Sequence, residues 1–334
     1  MADPVLAARD QRIGRIRLNR PAALNALDLG MIRAIRAALE DWRHQPAVQA
    51  VVIESSDARA FSAGGDIQAI RSAVLTGDDN AIFSFFSEEY ALNLAIAEYP
   101  KPYIAIIDGI AMGGGIGVSV HGSARIATER AVFAMPETAI GLFPDIGASY
   151  FLPRLPGALG TWLGITGARL TGADGVHAGL ATHFVPQARL PALSRALAYD
   201  GAGVLAAFAE PLPPFTFASL RSAIDRCFSA PSVTGLLERL ATEPGKFGRD
   251  TAAMLRTFSP SSIAWTFEVL RRGAESTLKD AQATEFRVVC RVVRHPDFAE
   301  GVRAMVIDKD RQPHWMPASI EDIDPVRIAA MFEE

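Results

Sequence analysis

Two cysteines, Cys227 and Cys290, are all that 334 residues hold. They are too few for a disulfide framework and too plainly placed for a metal site, so a reducing compartment is expected. The six histidines form no His-x-x-x-His pair or other ligand spacing, and no metal is expected. Basic charge is not in excess. Thirty-three Lys and Arg against 37 Asp and Glu leave a net charge of −4, so no global field draws in nucleic acid, and a polyanionic ligand needs a local basic site. The longest apolar run, 103–120, contains Asp108 and five glycines, which a lipid-facing helix does not carry; no membrane partner is expected. Residues 1–9 lack the apolar stretch of a signal peptide and the Arg/Ser-rich character of a transit peptide, which points to a cytoplasmic protein. Also missing are a Gly-x-Gly-x-x-Gly in the first strand–helix turn and any Gly-x-x-x-x-Gly-Lys-Ser/Thr, so dinucleotide and nucleoside-triphosphate sites are unsupported. What remains is 49% hydrophobic and 21% charged, an ordinary globular balance with length for one large domain or two modest ones.

Residues 12–18 alternate with period two and predict a strand. Leu27, Met31, Ile35, Leu39 and Trp42 repeat at helical spacing. Short buried strands are expected at 50–53 and 103–107, with further ones at 125–127, 132–134 and 182–185. Helices are expected from about Ile67, over 83–98, and from the glycines at 113–115. Strands alternating with helices argue for an α/β core with parallel pairing. After about Pro186 the strand signals stop, and helices are predicted at 219–229, 232–241, 248–255, 261–272 and 279–294. The division expected is an α/β core over 1–190 and a helical C-terminal region over 191–334.

Two glycine loops follow the most buried strands and each opens a helix: Ala63-Gly64-Gly65-Asp66 and Met112-Gly113-Gly114-Gly115. Such turns expose amide N–H groups and let a ligand approach the backbone. One donor from each, converging, would make an oxyanion hole; for either loop alone, a tight turn packed for steric reasons is the favoured explanation. Ser119 and His121 invite a hydrolase dyad, but no Gly-x-Ser-x-Gly surrounds the serine, and residues two apart on a helix face different ways. The segment 133–145, Phe-Ala-Met-Pro-Glu-Thr-Ala-Ile-Gly-Leu-Phe-Pro-Asp, carries two carboxylates, Glu137 and Asp145, each after a proline and among apolar neighbours. Proline at the first helical position places each acid in the first turn of a short helix, where amide N–H groups favour negative charge. Desolvation pushes the other way and raises a carboxyl pKa. Acids under such opposing pressures are candidate general acids, bases or nucleophiles; two helix-capping acids would carry the same pattern.

Arg59-Ala-Phe-Ser-Ala-Gly-Gly-Asp-Ile67, Lys101-Pro-Tyr-Ile-Ala105 and Asp108-Gly-Ile-Ala-Met-Gly-Gly-Gly115, in this order and at this distance from Glu137, resemble the crotonase (enoyl-CoA hydratase/isomerase) superfamily. The resemblance implies a crotonase-like ββα superhelix (the ClpP/crotonase fold) with a helical C-terminal region. It implies the amides of Gly65 and Gly114 as oxyanion donors, with coenzyme A contacts at Ala63, Gly65, Asp66 and Ile67 and Arg59 as a base near the phosphates. Hydratases of the family carry a second glutamate just after the Gly-Gly-Gly turn; here that position is Gly117. The segment 135–145, with Tyr150–Leu155 and 300–310, resembles instead a hydrolase subgroup that pairs Glu137 with Asp145. The expected activity is hydrolysis of a short branched 3-hydroxyacyl-CoA, with 3-hydroxyisobutyryl-CoA of valine breakdown as substrate. Coenzyme A enters as part of the acyl-CoA and no other cofactor is expected. Family members form trimers and hexamers, so a homo-oligomer is expected; hydration or isomerisation by Glu137 alone, and a non-catalytic acyl-CoA- or RNA-binding relative, are the alternatives.

Overall fold

The segment at 13–18 is a strand that is covered on both faces, with Arg17 alone exposed. In the computed structural model, which describes residues 3–333, it is the second of ten strands. One sheet contains β1 (Val5–Asp10), β2 (Ile13–Leu18), β3 (Ala50–Ser55), β5 (Tyr103–Ile107), β7 (Ala124–Ala127) and β10 (His183–Phe184), in that spatial order. The β1–β2 pair is antiparallel and all others are parallel. A second sheet runs β4 (Ala60–Ser62), β6 (Ile110–Met112), β8 (Val132–Ala134), β9 (Leu170–Thr171), parallel except at its last pair.

Both sheets lie in one compact unit, Met1–Gly65, Glu88–Ala134 and Arg169–Thr216; the other comprises Asp66–Ser87, Met135–Ala168 and Phe217–Glu334. In the first unit, Ile13, Ala50, Val52, Ile104, Ile106, Ala124 and Ile126 present one sheet face to Leu193, Leu197 and Leu205. The helix Leu190–Asp200 therefore belongs with the sheet. Around Gly14 the approach of Trp42 is so close that a Cβ there would overlap the indole ring, which seats the helix Leu29–Arg43. The second unit has no strand among the described residues. Its long helices are Val233–Thr242, Lys246–Leu255, Pro260–Gly273 and Leu278–Val292, each within a few residues of its predicted span. These units cut across the 1–190 and 191–334 division, although every strand does fall before residue 190.

Candidate active site

Two turns of the first unit meet backbone to backbone. Gly64 has a φ of +103°, a conformation closed to most side chains, and a Cβ there would lie 3.0 Å from Met112 O and 3.5 Å from Gly114 N. A Cβ on Gly114 would in turn lie 3.1 Å from Gly65 N. Gly114 begins the helix Gly114–Val120, so its N–H has no intrahelical acceptor. Among the described residues, neither the Gly65 nor the Gly114 amide donates to a turn or loop carbonyl. The two sequence-predicted donors are thus side by side and available. A buried polar network holds the turn: Asn25 Nδ2 donates to Ser55 Oγ (2.7 Å) and Phe61 O (3.1 Å), Ser62 Oγ donates to Asn25 O (2.8 Å), and Gly64 N donates to Ser62 Oγ (3.2 Å).

Ala63 N donates to Leu24 O at 2.9 Å. Asp66 caps the helix Ile67–Thr76 by accepting from Ala69 N at 3.1 Å, and Ile67 is that helix's first residue. Arg59 is engaged locally: its exposed guanidinium pairs with Asp57 at 2.6 Å and donates to Pro21 O at 2.8 Å. The Ser119 hydroxyl sits over the carbonyls of Gly115 and Ile116 in its own helix, at 3.2 and 2.9 Å, which is a packing role.

Glu137 and Asp145 lie in the second unit, and both are buried. Pro136 caps a 3-10 turn, Glu137–Ile140, and Glu137 is its first residue. Thr138 Oγ1 ties this turn to Gly164 O at 2.9 Å. On another side it is packed so closely that a Cβ on Gly141 would overlap the Asp297 carbonyl and one on Gly301 the backbone of Ile140. Burial, then the charge of Asp145, raise the Glu137 pKa well above the ordinary carboxylate range, against a smaller lowering by its own backbone N–H. Glu137 Oε2 is buried and has no hydrogen-bond partner among the described residues. A buried acceptor left without a donor is costly, and such groups concentrate where chemistry or a ligand uses them.

For Asp145 the sequence expectation needs correction. It precedes a turn rather than opening a helix: its carbonyl accepts from Ala148 N at 2.9 Å, and the helix begins at Ala148. The reason is Ile146 and Gly147, with φ of 58° and 85°, since a left-handed pair cannot continue from a right-handed first turn.

The profile of the family described as "Enoyl-CoA hydratase/isomerase" matches residues 13–332. The chain belongs to the enoyl-CoA hydratase/isomerase family. Curated relatives called "3-hydroxyisobutyryl-CoA hydrolase, mitochondrial" include one from Xenopus tropicalis, 45% identical over 96% of this chain and 86% of the relative. Another, from Homo sapiens, is 42% identical over the same shares. Among solved structures, a carnitinyl-CoA dehydratase from Mycobacterium thermoresistibile superposes with a TM-score of 0.95 at 36% identity, covering 100% of this chain and 97% of that one. An enoyl-CoA hydratase from Rhodobacter sphaeroides gives 0.93 at 40% identity, covering 99% and 97%. The crotonase fold and the family expected from residues 59–67, 101–105 and 108–115 are therefore both found.

Against this family background, one acid was not anticipated. Glu89 is buried, and a Cβ on Gly114 would overlap its Oε1. Its signal is periodic: Ile82, Phe86, Glu89, Asn93 and Ile96 are all buried along one stripe of the helix Asp79–Ala97. An acid inside an apolar stripe is as informative as one after a proline.

Proposed function

We infer that the chain is an acyl-CoA thioester hydrolase that, in valine breakdown, cleaves 3-hydroxyisobutyryl-CoA, the substrate for which its relatives are named, to 3-hydroxyisobutyrate and CoA. The observation that carries this reading is the Glu137–Asp145 pair: two buried acids, one raising the pKa of the other, and a Glu137 oxygen with no partner among the described residues. In the proposed reaction the amides of Gly65 and Gly114 hold the thioester oxygen as it gains charge, each worth about 3–4 kcal/mol in the transition state. Glu137, ionised, does one of two things. As nucleophile it attacks the carbonyl carbon, the CoA thiolate leaves, and water cleaves the resulting anhydride; as general base it takes a proton from water that attacks directly. Asp145 binds the 3-hydroxyl and assists proton transfer. Ala63, Gly65, Asp66 and Ile67 are proposed to contact the coenzyme A portion, and Arg59 its phosphates once released from Asp57. The chemistry asks for no cofactor beyond the CoA of the substrate.

Hydration is the second reading. It is favoured by Glu89, a carboxyl beside Gly114 where Gly117 supplies none. Thiol release measured across a panel of acyl-CoAs separates the readings: fast release confined to short 3-hydroxyacyl-CoAs supports hydrolysis, and its absence overturns it. A homo-oligomer, trimer or hexamer, is proposed on family grounds, and light scattering tests it. A cytoplasmic location is proposed on the two free cysteines, with cell fractionation as its test.

A further inference from the structure

Glu285 is a fully buried acid that the reaction above does not use. It stands on the helix Leu278–Val292, in line with Ala281, Val288, Val289 and Val292, where an apolar side chain would be the ordinary choice. Its two oxygens are both occupied. Oε2 accepts from Gly147 N at 2.7 Å, and Oε1 accepts from Ser149 N at 2.8 Å and Ser149 Oγ at 2.5 Å. The first donor belongs to the turn directly after Asp145 and the other two to the first residues of the helix that follows it, Ala148–Phe151. That turn is strained: Ile146, a β-branched residue, has a φ of 58°, a conformation kept only where surroundings over-determine it. Burial, and to a smaller extent the Asp145 charge, hold the Glu285 pKa at about 8 against the downward pull of the three donors, so the two acids sense one another.

We propose that Glu285 is a positioning residue, which by clamping Gly147 and Ser149 holds the strained turn that aims the Asp145 carboxylate at the substrate hydroxyl. An apolar side chain there would leave two buried amides without acceptors and free Ile146 to relax, swinging Asp145. The inference rests on the reading of Asp145 as the group that recognises the 3-hydroxyl.

The test compares Glu285→Gln, Ser149→Ala and Asp145→Asn on a 3-hydroxyacyl-CoA and on the same acyl-CoA without the hydroxyl. Glutamine keeps the shape but turns an amide NH2 against an N–H donor. Glu285→Gln should lower kcat on the hydroxylated thioester by roughly 10- to 100-fold, the scale of a buried amide left without its acceptor, and much less on the other. Combined with Asp145→Asn it should add little, because both changes act through one group. Ser149→Ala, which keeps both amide bonds, should show the same substrate bias with a smaller loss, and decides the matter if Glu285→Gln does not fold. Equal losses on the two substrates, or full additivity with Asp145→Asn, would mean that Glu285 serves stability alone and overturn the proposal. If Asp145→Asn itself shows no preference for the hydroxylated substrate, it is the Asp145 reading that fails.

Discussion

A carboxyl that must be ionised to react but is buried beside another acid has a definite pH signature. Burial and the Asp145 charge raise the Glu137 pKa, so hydrolysis should climb with pH along a limb lying above the ordinary carboxylate range. In Asp145→Asn one of the two causes is gone, and the limb should move to lower pH, read on a thioester without the 3-hydroxyl so that turnover survives. A limb that stays in place would detach the two acids. The stability sign is the opposite. A raised folded-state pKa means the group's favourable contribution is complete below its unfolded value and is lost as pH rises through the folded one. Glu137→Gln should therefore gain stability relative to wild type in urea melts as pH rises above the ordinary carboxylate range, while turnover falls roughly 10²–10⁴-fold with substrate still bound. Single-turnover hydrolysis in heavy-oxygen water then assigns the role: an anhydride cleaved at the enzyme carbonyl labels Glu137, whereas direct water attack labels only the product. A glutamine variant that keeps most activity would remove both roles. Glu137 and Asp145 were legible in the sequence because proline and apolar neighbours isolate them locally. Glu89 and Glu285 were not read, since each looks like any helical acid until its stripe is followed around the helix and seen to be buried.

At the scale of elements, the Gly114 turn makes the sharpest prediction. Any Cβ there would overlap Glu89 Oε1 and crowd Gly65 N, and valine adds two methyls where the thioester oxygen is proposed to sit. Gly114→Val should abolish turnover on hydroxyacyl-CoA; normal turnover in a folded variant would take this turn out of the active site. A period-two pattern anticipated β2, continuous apolar runs β3 and β5, and helical spacing the helix Leu29–Arg43. They did not reveal β1, an edge strand with four consecutive exposed residues, nor β4 and β6, three-residue strands too short for a period to show. The Asp145 helix expected from Pro144 failed at Ile146, where β-branching would argue against the left-handed turn that the structure holds there. The distant Glu285 accepts from the amides of Gly147 and Ser149 that follow it, and local sequence carries no trace of that contact.

At the scale of the whole molecule, the interleaving of the two units along the chain was out of reach of a residue-by-residue pass. Strand signals stop after about Pro186, but the helix Leu190–Asp200 and Leu205 pack on one face of the sheet that contains β1 and β2, and that packing is decided by faces far apart in sequence. What the molecule as a whole does depends on which acids act together, and here hydrolysis and hydration part. Hydration needs one group to activate water and one to protonate carbon. Gly117 provides neither, so a hydratase built on this chain would have to recruit Glu89 beside Gly114 as partner to Glu137. The proposed hydrolysis uses Asp145 instead, and a polar group built to pair with a hydroxyl discriminates strongly only when that hydroxyl is present. Wild-type protein should thus hydrate crotonyl-CoA very poorly, and Asp145→Asn should cripple release of CoA from 3-hydroxyisobutyryl-CoA while affecting a thioester without the hydroxyl much less. Absorbance of the enoyl thioester follows the first reaction and a thiol reagent the second. Rapid hydration by wild type, abolished in Glu89→Gln and untouched in Asp145→Asn, would transfer the assignment to a hydratase with Glu89 and Glu137 as its acids.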